Sequence, residues 1–572
     1  MRTPAALAAA WAAFFLMPNE MLSAGRDYGR SMVISRQGIV ATNQPLASQV
    51  GAQVLARGGS AVDAAIAANA VMGVVEPMSC GIGGDLFAIY WDARTGTLAG
   101  LNASGWSPKG LSIEFLKEKK ITAMPQEGTH SVTVPGAVDG WEKLHKRFGR
   151  LPWAELFRPA IYYANNGFPV TELTARAWAG AISKLSRDTQ GRSVFLPDGA
   201  APKEGQIFRN PALAKALALI SESGAGALYR GPISQAILRD SEWSGGTLTE
   251  ADFAEYQSEW VTPIATDYRG WKVYELPPNG QGIATLEMLN IMETFDLAKL
   301  GSASADALHL KIESQKMAYQ DLARYVADPR FVKVPVDGML SKKYAAERAG
   351  LIDGAKANCT PSAGNPLPAQ GDTIYLTVVD REGNIVSLIQ SLYNGFGSGI
   401  SVAGFGFHLH NRGASFTLDP DHPNALAPRK RPFHTVMPGF MEKGSLHVGF
   451  GIMGGLNQAQ AHAQFVSNLV DHGMNIQAAL EAPRFTKMNF GGCDVSVEAR
   501  VPERTRQALR ERGHRLDVLG AYDTTVGGGH AVMRDAAAGV NYGASSPRKD
   551  GAAVPEPDPY FTAPAAPTAK KK

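Results

Sequence analysis

The sequence predicts a mixed α/β (α+β) protein in which helices dominate the first part and strands the second. Small and apolar residues recur at helical spacing through much of the chain before residue 354. After residue 372, short runs with strand periodicity and turn residues between them predominate. The chain has 572 residues, 45% hydrophobic and 19% charged, which is typical of a globular protein with several domains or one large multilayered core.

The first helical pattern covers residues 48–75, which are rich in alanine and glycine. The glycine pair at 58–59 ends one helix, and Ser60 follows as an N-cap for the next. Because small side chains let backbones approach closely, we predict two buried, tightly packed helices, followed by a strand over Leu86–Trp91.

Helical spacing returns over Gly136–Phe168 and continues to about Arg239. A short alternating strand is predicted between Tyr268 and Tyr274. Amphipathic helices are then predicted over Ala284–Phe295 and Ala305–Tyr325.

A change of character separates the two parts of the chain. Residues 354–371 mix polar residues with proline and glycine, which indicates an exposed linker. Strands over Thr373–Val379 and Ile385–Gln390 flank a Gly383-Asn384 turn, which predicts a hairpin. A β-rich region follows, with one long helix near Ala459–Asp471.

The two ends of the chain differ from the rest in composition. Residues 1–24 contain an early arginine, an apolar run and small residues near Ala24, as a secretory signal does; an Ala-rich leader or an upstream start codon is the alternative. A cleaved signal would make the protein periplasmic or secreted, and an uncleaved leader would leave it cytoplasmic. The tail 555–572 is rich in proline, alanine and lysine and is predicted to be disordered.

Composition argues against several classes of partner and cofactor. A net charge of +3 spread along the chain gives no basic field for nucleic acid, and no later run is long and apolar enough for a membrane span. Cys80, Cys359 and Cys493 lie far apart without a CxxC pair, so neither a disulfide framework nor a thiolate zinc site is implied. The histidines show no metal-ligand spacing, and we predict no metal.

A glycine-rich segment, Gly449–Gly454, matches GxGxxG. A dinucleotide site would need a strand before it, a helix opening on it and an acidic residue about 20 positions later. The downstream acid, Asp471, falls late in the predicted helix, so a nucleotide site is not favoured.

The junction between Asp372 and Thr373 has a chemical interpretation. A threonine hydroxyl is a weak nucleophile that needs a base, and a free α-amine on the same residue, with a pKa of about 8, is one solution. Such a threonine must be made terminal by cleavage, and an exposed linker ending at Asp372 fits that requirement. Without further support, a purely structural threonine at the start of a strand is the alternative.

The sequence around this junction resembles the gamma-glutamyltranspeptidase family. Matching blocks occur in family order over roughly residues 33–550, and they read ATNQPLASQVGAQVLARGGSAVDAAIAANAVMGVVEP, GIGGDLF, VPGAVDGW, PAIYYANNGF, YRGWKVYELPPNGQG, YQDLARYVADPRFVKVP and DTIYLTVVDREGNIVSLIQSLYNGFGSGI. The resemblance implies an N-terminal-nucleophile hydrolase with a four-layer αββα sandwich. It also implies self-cleavage into a large subunit, 25–372, and a small subunit, 373–554, that form one intertwined unit.

The resemblance also implies roles for individual residues. Thr373 falls at the family's processing site and nucleophile, with Asp372 on the other side of the cut. Ser391 replaces a threonine that supports the nucleophile, and Gly454 and Gly455 match the pair whose N–H groups form the oxyanion hole.

The residues of the implied substrate pocket depart from the family. An arginine that holds the substrate's α-carboxylate and an aspartate that holds its α-amine are both replaced by serine. Amide or acidic residues and a serine pair of the same pocket are replaced as well. The residues found at these positions are Ser104, Ser415, Tyr393, Arg412, His434 and Thr435.

These replacements disfavour a gamma-glutamyl substrate in its usual pose, because losing a desolvated charge partner costs about 2 to 5 kcal/mol. Arg412 would repel an α-ammonium group but suits a carboxylate, and a protonated His434 would add a charged donor. A solvated surface arginine is the alternative reading of Arg412.

The predicted function is cleavage of a small acidic amide through an acyl-enzyme on Thr373, with water or an amine as acceptor and no cofactor. The pattern resembles the family's oxamate-amidohydrolase and acylase-like branch. Two alternatives stay open: gamma-glutamyl transfer or hydrolysis acting on glutathione, and a non-catalytic binding protein.

Overall fold

The computed structural model describes residues 26, 28–361 and 372–561. The predicted leader 1–24, most of the predicted linker and residues 562–572 of the predicted tail lie outside these residues. The helices are α1 Pro45–Ala56, α2 Ala61–Val75, α3 Ile113–Glu118, α4 Ala137–Phe148, α5 Trp153–Asn166, α6 Glu172–Gly180, α7 Ile182–Leu185, α8 Thr189–Phe195, α9 Pro211–Ser223, α10 Gly226–Tyr229, α11 Pro232–Trp243, α12 Glu250–Ala254, α13 Gly282–Met292, α14 Leu297–Leu300, α15 Ala305–Tyr325, α16 Val336–Met339, α17 Lys342–Ala349, α18 Asn457–Val470, α19 Ile476–Glu481 and α20 Glu503–Glu511.

The strands are β1 Val33–Ser35, β2 Ile39–Thr42, β3 Asp85–Asp92, β4 Thr97–Ala103, β5 Phe168–Pro169, β6 Ile207–Phe208, β7 Glu259–Val261, β8 Ile264–Tyr268, β9 Trp271–Glu275, β10 Asp372–Val379, β11 Ile385–Tyr393, β12 Gly439–Lys443, β13 Leu446–Ile452, β14 Phe485–Thr486, β15 Asp494–Glu498, β16 Arg515–Leu519, β17 Gly529–Asp535, β18 Val540–Ser545 and β19 Ala552–Pro555. Within the described ranges, no helix has the length and apolar character needed to cross a bilayer.

Two seven-stranded sheets form the centre of the fold. Sheet I has the order β19-β2-β10-β11-β3-β4-β7, and sheet II has the order β1-β18-β17-β13-β12-β9-β8. All strand pairs in both sheets are antiparallel. A smaller sheet, β14-β15-β16, lies outside this pair.

The two large sheets stack face to face, and helices cover both outer faces. Because side chains alternate along a strand, Ile374 and Leu376 of β10 pack against the α1–α2 and α4–α5 helices, whereas Tyr375 points to the other sheet. Phe440 of β12 and Val532 of β17 meet Tyr375 in the layer between the sheets. Helices α13, α15, α18 and α19 cover sheet II. The predicted four-layer αββα sandwich is therefore confirmed.

Strands from before and after Thr373 interleave in both sheets. In sheet I, β10 pairs with β2 and β11 pairs with β3. In sheet II, β12 pairs with β9, and β18 pairs with β1. The strands that follow Thr373 thus lie next to strands that precede it, as expected for intertwined subunits.

The predicted N-terminal helix pair is confirmed as α1 and α2, and the cap at Ser60 is reciprocal. Ser60 Oγ accepts from the Asp63 N–H at 3.1 Å, and Asp63 Oδ2 accepts from the Ser60 N–H at 2.9 Å. Asp63 Oδ2 also accepts from the N–H groups of Arg150 and Leu151, at 2.8 and 3.0 Å. One buried carboxylate therefore starts α2 and fixes the turn between α4 and α5.

Two predicted boundaries are wrong. The run from Tyr268 to Tyr274 is not one strand, because β8 ends at Tyr268 and a turn at Arg269 and Gly270, with φ of +48° and +80°, starts β9. The predicted disordered tail begins too early: the Glu556 carboxylate is buried and accepts from the Gly38 N–H at 3.0 Å, next to the β19–β2 pairing.

The cysteine prediction is also corrected. Cys359 and Cys493 form a disulfide across a sequence separation of 134, with Cα atoms 4.7 Å apart, and Cys80 is buried and not part of this bridge. Pairing over such a distance depends on the tertiary fold, so cysteine spacing does not reveal it.

The expectation that the histidines form no metal-ligand cluster is corrected in part. His309, Glu313 and His514 come together with ligand atoms within 4.8 Å of one another. The donors are already used, because His309 Nδ1 lies 2.8 Å from His514 Nε2 and the Lys316 ammonium lies 2.6 Å from Glu313. A divalent cation would face this buried ammonium, so the group does not fit a metal.

Candidate active site

Thr373 lies at the second position of β10, next to the end of β11. The register shifts between the Asp372–Tyr393 and Ile374–Gln390 pairs, so a β-bulge lies beside Thr373. Thr373 Oγ1 is 3.1 Å from Ser391 Oγ, and both residues are buried. The predicted pair of hydroxyls is therefore brought together. The side chain of Asp372 lies outside what the structure describes.

Ser391 and Tyr393 connect the nucleophile to the implied pocket. The Tyr393 N–H donates to Ser391 Oγ at 2.7 Å, which fixes that hydroxyl beside Thr373. Tyr393 has a φ of +77°, an uncommon value for a residue with a side chain. Its ring lies under the Arg412 guanidinium, whose carbon is 4.3 Å from the ring centroid.

Arg412 is fully buried in a short 3-10 turn, Arg412–Ser415, so the reading of a solvated surface arginine is wrong. Its Nε donates to Asp85 Oδ2 at 3.1 Å, and its Nη1 donates to Thr435 Oγ1 at 2.9 Å. Its Nη2 has no hydrogen-bond partner among the described residues. A buried guanidinium N–H group without a partner is costly, so this atom is suited to receive an acceptor from a ligand.

Asp85 is the centre of the charge network, and the sequence did not single it out. Besides Arg412, His410 Nδ1 lies 3.0 Å and His434 Nε2 2.8 Å from its Oδ2, and the Gly105 N–H donates to Oδ1 at 3.0 Å. Burial favours the neutral acid, yet the interactions with His410 and His434 hold the pKa of Asp85 well below its usual value. The ionised carboxylate compensates the charge of Arg412.

His434 does not act as the charged donor that the sequence suggested. Burial, with Arg412 nearby, lowers the pKa of His434 to about 3. Its Nδ1 accepts from the Val436 N–H at 3.2 Å, which leaves the proton on Nε2 facing Asp85. The neutral ring therefore positions Asp85, and Thr435 alone of the predicted His-Thr pair contacts Arg412 directly.

The two serines that replace charged residues of the family differ in their surroundings. Ser104 Oγ accepts from Asn279 Nδ2 at 3.1 Å and belongs to a buried amide network with Asn102. Ser415 Oγ is buried and has no hydrogen-bond partner within the described part of the chain. Ser415 therefore joins Arg412 Nη2 as a second unsatisfied group on the same 3-10 turn.

Gly454 and Gly455 form the turn between β13 and α18. Their φ values of +117° and +59° favour glycine, and the turn leads directly into the N-terminus of a 14-residue helix. Gln281 Nε2 donates to the Gly455 carbonyl at 2.9 Å and also to the Thr435 carbonyl, so the turn is attached to the Arg412 pocket.

The earlier glycines of the GxGxxG match have a packing role. Gly449 and Gly451 lie within β13, where an added Cβ on Gly451 would be 2.4 Å from the Tyr375 ring. The motif therefore lets sheet II approach β10 closely. This explains its glycines without a dinucleotide.

A buried threonine hydroxyl at the start of a central strand, between two stacked antiparallel sheets flanked by helices, defines the N-terminal-nucleophile class of hydrolases. Comparison with known sequences and structures narrows the class. The protein-family model for Gamma-glutamyltranspeptidase matches residues 47–556 of the chain.

The chain is similar over most of its length to several known proteins and solved structures. It is 37% identical over 530 residues to the glutathione hydrolase-like YwrD proenzyme of Bacillus subtilis (strain 168), covering 91% of this chain and 99% of that one. It is 33% identical over 532 residues to the oxamate amidohydrolase proenzyme of Klebsiella pneumoniae, with coverage of 91% and 99%. The crystal structure of cephalosporin acylase from Bacillus halodurans superposes with a TM-score of 0.87 at 42% identity, covering 93% and 98%.

The chain therefore belongs to the gamma-glutamyltranspeptidase family, as a precursor of an N-terminal-nucleophile hydrolase or acyltransferase.

Proposed function

We propose that the chain cuts itself between Asp372 and Thr373 and that the new terminal threonine then attacks the amide bond of a small acidic substrate. The observation that carries this proposal is the 3.1 Å contact between Thr373 Oγ1 and Ser391 Oγ at the start of β10. The two relatives named above as proenzymes support a precursor that is processed.

Two successive acyl transfers account for cleavage and turnover. In the first, Thr373 Oγ attacks the Asp372 carbonyl and releases the Thr373 amine as an ester forms, which water then opens. In the second, that free α-amine takes the proton from Oγ as the hydroxyl attacks the substrate carbonyl. The substrate amine leaves with this proton, and water or another amine removes the acyl group.

The Gly454–Gly455 turn is the proposed oxyanion site. Its two backbone N–H groups precede α18, and the positive end of the helix dipole favours the charge that develops on the carbonyl oxygen. Gln281 supports the turn by donating to the Gly455 carbonyl. The backbone N–H groups of Gly454 and Gly455 are not used in this contact, so they can donate to the substrate oxygen.

The acyl end of the substrate is proposed to carry a carboxylate that binds Arg412 Nη2 and Ser415 Oγ. Both groups are buried without partners in the described structure, and both can donate to an anion. Among the described residues, the acid paired with Arg412 is Asp85, and it is already surrounded by four donors, so it is not available to an α-ammonium group. An acidic amide without a free α-amine therefore fits best, as the name oxamate amidohydrolase also suggests.

Acyl-enzyme trapping tests the reaction itself. The enzyme is mixed with glutaryl anilide, quenched in acid and digested. The mass of the peptide that begins at Thr373 is then measured by mass spectrometry. The proposal expects the glutaryl mass on this peptide. No adduct and no turnover with any amide would favour the alternative of a binding protein.

Ser415 variants test the acyl group without disturbing a buried charge pair. Ser415→Ala removes one donor, and we expect a roughly 5- to 30-fold loss of kcat/KM for oxamate and glutaryl amides. Ser415→Asp restores the family's acid and should shift preference toward a gamma-glutamyl anilide. If wild type already prefers the gamma-glutamyl anilide, glutathione-type chemistry, as in the name of the YwrD relative, replaces the acidic-amide proposal.

A further inference from the structure

We propose that the Cys359–Cys493 disulfide becomes an intersubunit bond in the mature protein and holds the C-terminal end of the large subunit on the small subunit. The inference rests on the proposed cleavage, because the two cysteines lie on opposite sides of the Asp372–Thr373 junction. Cys359 precedes this junction, and Cys493 comes directly before β15 in the predicted small subunit.

The two cysteines differ in exposure, but the Lys316 side chain contacts the chain on both sides of their bridge. Cys359 lies in an exposed segment, whereas Cys493 is fully buried. The Lys316 ammonium on α15 lies 3.7 Å from Cys493 Sγ and donates to the Asn358 carbonyl at 2.9 Å. One buried cation therefore contacts both sides of the bridge.

Polar contacts dock the segment before Cys359 at several further points. The Asn358 N–H donates to Glu313 Oε2 at 3.3 Å, and the Asp353 carbonyl lies 2.8 Å from His309 Nε2. The Ala357 N–H donates to the Arg512 carbonyl, at 2.7 Å, in the predicted small subunit. His309 and Glu313 thus anchor this segment through hydrogen bonds to its backbone.

Peptide cleavage leaves this bridge intact, because hydrolysis at Asp372 consumes one water and does not touch the sulfur atoms. Forming the bridge removes two protons and two electrons from the thiols. These pass to an external disulfide, such as oxidised glutathione or a protein disulfide, by thiol–disulfide exchange. Such a bond persists in an oxidising compartment, in agreement with the secretory reading of residues 1–24.

The test is a denaturing gel of the full-length protein, matured with oxidised glutathione and then blocked with N-ethylmaleimide, run with and without reductant. Wild type is expected as one species without reductant and as two with it. Cys359→Ser and Cys493→Ser should each give two species in both lanes. Cys80→Ala, which removes the cysteine outside the bridge, should behave as wild type, and Thr373→Ala should stay as one species in both lanes.

The outcomes separate failure of the bridge from failure of cleavage. Two wild-type species without reductant would overturn the intersubunit bond while supporting cleavage. One species in both lanes would overturn cleavage and the intersubunit bond together. Counting maleimide adducts by intact mass then shows whether the thiols of Cys359 and Cys493 were paired in the uncut chain.

Discussion

At the scale of single residues, the site is a connected chain of contacts. Thr373 touches Ser391, Ser391 accepts from Tyr393, and the Tyr393 ring lies under Arg412. Arg412 is in turn fixed by Asp85 and by Thr435. A change at the pocket end can therefore reach the nucleophile through the position of β11.

Replacing Ser391 should slow both self-cleavage and turnover. Ser391→Ala removes the hydroxyl beside Thr373 Oγ1, and we expect roughly 10- to 100-fold slower cleavage, the effect of losing one hydrogen bond to a group that develops charge. Quantified gel time courses measure it. Ser391→Thr should keep the activity. The control is Ser387→Ala, which removes another hydroxyl of β11, one that is hydrogen-bonded to Tyr375 of β10. Equal rates for Ser391→Ala and wild type would contradict the assigned role.

Asp85→Asn should destabilise the protein strongly. It leaves Arg412 buried without its counter-charge, and removing one partner of a buried pair costs about 3–5 kcal/mol. Urea unfolding at pH 7 measures the loss. Asp92→Asn, at the partly exposed far end of the same strand, should change stability little. A loss for Asp85→Asn as small as that for Asp92→Asn would show that the Asp85 network is not a determinant of stability.

The sequence could place Thr373, Ser391 and the glycine pair because they lie in contiguous motifs. It could not identify Asp85 as the centre of the pocket, because its partners His410 and His434 are 325 and 349 positions away. The neutral state of His434 was also beyond sequence reasoning, since it follows from full burial and from the Val436 N–H group.

At the scale of elements, long periodic patterns were predicted well and short ones less well. The α1–α2 pair and the β10–β11 hairpin have clear spacing and clear stop signals, and the structure confirms both. The β8–β9 hairpin was missed because its turn uses Arg269 before Gly270, and arginine is not a turn signal. The disulfide was missed because it joins two elements that are distant in sequence.

The disulfide should stabilise the uncut precursor. In a Thr373→Ala background, where the chain stays whole, Cys359→Ser should lower the free energy of unfolding by about 2–4 kcal/mol, because the bridge closes a long loop in the unfolded chain. Urea unfolding measures this difference. Reductant should lower the free energy of unfolding of the Thr373→Ala protein to that of the variant carrying both Thr373→Ala and Cys359→Ser. It should leave the variant with both substitutions unchanged. If reductant does not change the stability of the Thr373→Ala protein, the prediction is contradicted.

At the scale of the whole molecule, interleaved sheets explain how a chain can be cut in its middle and keep its shape. The strand pairs β10–β2, β11–β3 and β12–β9 all join segments from opposite sides of the proposed cut. Each sheet therefore holds both subunits together by backbone hydrogen bonds, and the disulfide adds a covalent connection.

Stability should fall as the pH drops below about 6.5. Among the described residues, burial lowers the pKa of five histidines to about 3: His408, His434, His462, His514 and His530. Between pH 6.5 and 3 the unfolded chain binds protons at these residues and the folded chain does not, so each contributes up to about 1.4 kcal/mol of lost stability per pH unit. Urea midpoints at pH 7, 6, 5 and 4 test this. A midpoint that is constant or rises toward pH 4 would contradict it.

The most direct test of the central claim is the intact mass of purified wild-type protein beside Thr373→Ala, measured after reduction and denaturation. The account predicts two wild-type chains, one of which begins at Thr373, and a single uncut chain for the variant. A wild-type chain that stays whole under folding conditions, or a variant that is still cut at the same bond, would contradict a self-processing threonine nucleophile.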